Sequence, residues 1–72
     1  MHKLPFVSAK EVIKVSSMCG FHFVRQSGSH IVMKNNEGKM LVIPNHNPLK
    51  KGTLLQIIKS IGVDKEEFSK LL

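Results

Sequence analysis

The hydrophobic period of this chain changes twice, and those changes limit the folds open to it. Up to Gly20 the apolar residues recur at helical spacing. From Phe21 to Ile43 they fall in short β-rich runs, and beyond Gly52 the helical spacing returns. A helix, three strands and a return to helix within 72 residues point to an α+β domain, one layer of sheet against one layer of helix. We expect residues 1–72 to form one domain, with no repeat, linker or low-complexity segment.

The first helix is predicted to start after Ser8. Glu11, three residues on, completes a capping box in which hydroxyl and carboxylate satisfy amides that the first turn leaves unpaired. Ala9, Val12, Ile13, Ser16 and Cys19 make one stripe, Lys10, Glu11, Lys14 and Ser17 lie opposite, and Gly20 ends the helix. Thr53 and Gln56 repeat the capping pattern ahead of Leu54, Leu55, Ile57, Ile58 and Ile61, up to Gly62. Asp64 with Glu67 marks a third, shorter helix that packs Phe68, Leu71 and Leu72.

Three runs, Phe21 to Gln26, Ser29 to Lys34 and Lys39 to Ile43, are separated by hairpin-sized gaps and predict a three-stranded antiparallel meander. Side chains alternate along a strand, so Ile31 and Met33 face one way while His30, Val32 and Lys34 face the other. With helices over the more apolar side, His30 and Lys34 share the open one. Pro44 closes the third strand, and Asn45-His46-Asn47-Pro48 is a polar loop.

A chain that is 42% hydrophobic can bury a core. At this length, though, net stability is expected to be only about 3–5 kcal/mol. Eleven Lys and Arg against five Asp and Glu give a net charge of +6, which suits a polyanion such as nucleic acid, or an acidic protein. The single cysteine, Cys19, allows no intrachain disulfide, and the paired Cys/His spacing of a structural zinc site is missing. The longest apolar run, Met40 to Ile43, is far short of the roughly 20 residues of a membrane span. The start, Met1 to Pro5, has no apolar signal stretch, so a cytoplasmic location is expected.

Taken in order, Gly20-Phe21, Arg25-Gln26-Ser27-Gly28-Ser29-His30, Pro44 with His46, Gly52-Thr53-Leu54, Ile58 and Glu67-Phe68 resemble the HicA family of toxin–antitoxin systems. The likeness runs from about Lys3 to Leu72. Gly-Ser-His directly after a strand, with Pro-x-His and Gly-Thr-Leu at these distances, is far more specific than any one motif. The resemblance implies a double-stranded-RNA-binding-domain-like fold, cleavage of mRNA that inhibits translation, and a HicB-type antitoxin that covers the active site. It further implies that His30 is the catalytic residue. Ser27 stands where the family more often has Lys or another polar residue, which would soften one phosphate contact.

Metal-independent RNA cleavage turns the ribose 2′-hydroxyl on its neighbouring phosphorus. It needs a base, an acid and cations for the developing charge. Histidine suits both proton-transfer roles near neutral pH. DNA lacks the 2′-hydroxyl, and no contact with DNA is expected of this chain alone. Gly28 and Ser29 leave room for a phosphate to approach the backbone beside His30. His46 is the candidate for a second acid or base, against the alternative of a loop histidine bonded to backbone. His2 and His22 read as surface or structural residues.

Arg25, Lys34, Lys50 and Lys51 are the candidate phosphate contacts beside Gly28 and Ser29, with Lys39 nearby. Lys50 and Lys51 precede a helix start, whose amides also attract anions. Lys10, Lys14 and Lys59 read as solvated helix faces, with contact to RNA as the alternative for Lys14. No cofactor or metal is implied. Two rival readings use the same surface: an RNA-binding module without catalysis, and a domain that binds an acidic protein.

Overall fold

The computed structural model describes residues 7–72. The chain runs α1 (Ala9–Met18), β1 (Phe21–Ser27), β2 (His30–Asn35), β3 (Met40–Pro44), α2 (Lys51–Ile61) and α3 (Lys65–Leu71). His2 and the Met1 to Pro5 segment lie outside the described residues. The three strands form one antiparallel sheet in the order β1-β2-β3, and the architecture is the α+β, double-stranded-RNA-binding-domain-like arrangement expected.

Local signals set most of the boundaries. The Ser8 hydroxyl and Glu11 carboxylate form the capping box of α1, and Gly20, at φ 94°, turns the chain into β1. Gly62, also at φ 94°, ends α2, and the Asp64 carboxylate accepts from the Glu67 amide at 2.8 Å to begin α3.

The start of α2 differs from the sequence expectation. The helix begins at Lys51, not after Thr53, and its N-cap, Lys50, makes no side-chain cap bond. A tertiary contact decides the matter: Leu49 is buried and its amide donates to the Val7 carbonyl at 2.8 Å. The chain is thereby anchored immediately before Lys50. Thr53 and Gln56 fall inside the helix as face residues, with no capping role.

The core lies between the sheet and the helices. Ile31, Met33, Leu41 and Ile43 from the sheet meet Val12 and Val15 of α1, Leu54, Ile57 and Ile58 of α2, and Phe68 of α3. Val15 was missing from the expected stripe, while Ile13 and Cys19 pack only partly buried at its edge. Phe68 and Met33 are fully enclosed, and burying a side chain of that size contributes about 1.5–3 kcal/mol.

Both hairpins start one residue later than the alternation suggested. Gly28-Ser29 connects β1 and β2, with Gly28 at φ 58° and Ser29 at negative φ, the combination a type II′ loop requires. Between β2 and β3 the Asn35 side-chain oxygen accepts from the Glu37 amide at 3.0 Å and the Lys39 amide at 2.8 Å, which holds that turn. Lys39 therefore belongs to the turn and not to β3.

Candidate nucleic-acid interface

Strand pairing maps the face that the helices leave open. Antiparallel partners project to the same side, so one row across the sheet is Ser27, His30 and Pro44, the next Arg25, Val32 and Val42, and the third His22, Lys34 and Met40. His30, Arg25, His22 and Lys34 are all exposed. Val32, though on this face, is only 6% exposed, flanked on either side by Arg25 and Val42.

Arg25 reaches this face because of a β-bulge. The register shifts between Phe23 and Arg25, which makes Val24 an extra residue in β1. In an unbroken ladder Arg25 would oppose Ile31 and project toward the helices. The bulge reverses the side to which Arg25 and Ser27 point. Arg25 becomes a diagonal neighbour of His30, a relation that places side-chain bases about 7–8 Å apart. Lys34 lies four residues along β2 from His30, or about 13 Å.

His30 is the first residue of β2 and pairs with Ser27 on one side and Pro44 on the other. The Asn45 amide extends that ladder by donating to the Ser29 carbonyl at 2.6 Å. The Gln26 side-chain amide donates to the Gly28 carbonyl at 3.1 Å and braces the hairpin tip. The backbone beneath His30 is thus fixed, while its ring makes no hydrogen bond or ion pair with another described residue.

The loop after β3 returns beside this tip and then leaves it. The His46 amide donates to the Pro44 carbonyl at 2.9 Å, a tight bend, and the His46 carbonyl accepts from the Ala9 amide at 3.2 Å. The backbone of His46 is therefore committed, and its side chain is exposed. Lys50 and Lys51 are exposed at the start of α2, where no acidic residue occupies the first turn. Lys39 sits at the opposite end of the sheet from His30, at the β2–β3 turn.

Beside His30 a groove of about 340 Å³ runs between β3 and α2. Met40 and Val42 wall one side, and Thr53, Gln56 and Ser60 line the other. The last three were not singled out as site residues. Their i, i+3, i+7 spacing, a polar stripe on a helix whose other face is apolar, is the signal that marks them.

Among the described residues no group of three or more His, Cys, Asp or Glu is placed to hold a metal ion. No helix among them is long and apolar enough to cross a membrane. Burial, and secondarily the charge of Glu67, pushes the Cys19 thiol above its ordinary pKa, so this cysteine is a poor nucleophile.

Compared with curated proteins, the chain matches none. A family model described as the HicA toxin of bacterial toxin-antitoxin matches residues 9–63, a span from the first residue of α1 to just past the end of α2 that takes in the whole sheet. The chain belongs to the HicA family, and it is the toxin component of a toxin–antitoxin system, with a cognate antitoxin as partner.

Proposed function

We propose that this toxin is a metal-independent endoribonuclease that cuts mRNA and so inhibits translation, with His30 as its catalytic residue. The observation that carries the reading is the setting of His30: an exposed imidazole on a backbone braced from both sides, with Arg25 diagonally beside it on the same open face. His30 removes the proton of a ribose 2′-hydroxyl, and the oxygen attacks the adjacent phosphorus. The bond from phosphorus to the 5′-oxygen breaks. That oxygen takes up a proton, leaving a 2′,3′-cyclic phosphate and a 5′-hydroxyl end. His46 is the candidate donor of that proton, since its loop is tied to Ser29 through the Asn45 amide.

Arg25 counters the charge growing on the phosphate, and Gly28 and Ser29 let the RNA backbone approach. Lys34, Lys50 and Lys51 hold phosphates farther along the strand. A HicB-type antitoxin covers His30 and this basic face, and the pair acts in the cytoplasm. Residues 1–72 work as one domain.

The test is cleavage of a labelled single-stranded RNA in the presence of EDTA, beside the His30→Ala variant and a DNA of matching sequence. Cutting of RNA alone, by the wild type alone, is the expected result. If both proteins retain RNA and neither cuts it, the chain is an RNA-binding module, a role for which the mixed apolar and basic sheet face is also suited.

A further inference from the structure

The groove beside His30 has a lining that bond cleavage does not require. Thr53, Gln56 and Ser60 present an amide between two hydroxyls along one face of α2, opposite the partly exposed side chains of Met40 and Val42. None of the chain's five carboxylates lines it. The Gln56 side chain makes no hydrogen bond to another described residue, so its donor and acceptor are free for a ligand. At about 340 Å³ the groove is at the lower end of the roughly 300–1,000 Å³ typical of small-molecule sites. That is room enough for a flat ring system.

We propose that this groove takes one unstacked base of a single-stranded RNA, that of the nucleotide whose 3′-phosphate faces His30, and that Gln56 is the residue that reads it. The inference rests on the ribonuclease reading of His30 for the placement of the phosphate. An amide offers a donor and an acceptor side by side, the pattern that pairs with a base edge. Met40 and Val42 cover the base's apolar face, and the thioether of Met40 adapts to its outline. Sequence-specific recognition of RNA generally works on such splayed-out bases. Position in the groove therefore sets where the strand is cut, while His30 sets that it is cut.

The test is titration of the four nucleoside 3′-monophosphates into methyl-labelled protein, followed through the methyl signals of Met40, Val42 and Ile57. One nucleotide is expected to bind saturably and about tenfold more tightly than the poorest of the four, as a single bidentate contact provides. Gln56→Leu, at an exposed position that leaves the fold intact, abolishes that ratio. Gln56→Glu moves the preference toward bases that present donors. In parallel, cut sites on a long RNA lose their shared base with Gln56→Leu.

Unmoved methyl signals, equal binding of all four nucleotides, or an unchanged preference in Gln56→Leu overturns the inference. If the wild type discriminates among the nucleotides yet cuts no RNA, the base site stands and the ribonuclease reading falls. If it cuts RNA with the same site preference in the Gln56→Leu variant, the reverse holds.

Discussion

The Asn45 amide donates to the Ser29 carbonyl at 2.6 Å, one step past the pairing of Pro44 with His30. With Ser27 opposite on β1, the chain at His30 is bonded into its neighbours from both sides while the imidazole stays outside the core. Backbone order and side-chain freedom coincide at this residue, so what it does chemically can be separated from what it does for stability.

His30→Ala should therefore lower the rate of RNA cleavage by about 10²–10⁴-fold, the usual worth of a general acid–base group. Its melting temperature should remain within a few degrees of the wild type, as for other exposed substitutions. Rate and thermal unfolding measured on one preparation decide this. A folded variant that still cuts would remove His30 from the mechanism.

Arg25→Ala should weaken RNA binding and reduce the slope of log affinity against log salt by about 1, the loss of one phosphate contact. Deleting Val24 removes the bulge but keeps Arg25 opposite Val32, next after Phe23 and on the same open face, so it should leave the salt slope near the wild-type value. Unchanged salt dependence in Arg25→Ala would remove Arg25 from the RNA contact.

The N-cap serine of α1 and a serine within that helix should respond with opposite signs. Ser8→Ala removes the capping box and should cost about 1 kcal/mol, or roughly 4–8 °C in melting temperature for a domain this small. Ser16 is fully buried and its hydroxyl has no hydrogen-bond partner. Ser16→Ala should stabilise by about 1 kcal/mol, because an unsatisfied buried polar group is lost and helix propensity rises. Thermal denaturation of the two variants reads both effects.

Cys19 should react slowly with iodoacetamide at neutral pH, since burial first and Glu67 second favour the neutral thiol. Glu67→Gln should accelerate the reaction, and unfolding should accelerate it more. The folded state's preference for the protonated thiol contributes to stability below the unfolded thiol's pKa and is lost as pH rises through the folded one. Alkylation as fast in the native as in the unfolded chain would contradict this.

What the sequence disclosed followed the range of the interactions involved. Ser8 with Glu11, Asp64 with Glu67, Gly20 and Gly62 act within a few residues of themselves, and each was legible. The start of α2 was not, because Thr53 and Gln56 imitate a capping box while the deciding contact joins Leu49 to Val7, far away in sequence. The bulge was also missed. Its trace is the adjacent pair Phe23-Val24, which breaks the alternation of β1. His30 and Lys34 were correctly placed on the open face by alternation alone, whereas the side to which Arg25 points depended on that one extra residue.

The central position of β2 bears on when this toxin can be silent. An amide bonded into a strand flanked on both sides exchanges its hydrogen only when a large part of the molecule opens, whereas edges and loops breathe freely. His30 is mounted at the start of that central strand. With His30 as the catalytic residue proposed above, local melting is a poor off-switch, and the folded protein carries that site ready-made for as long as it exists. Control must come from outside the fold, by occupying the site or by destroying the chain.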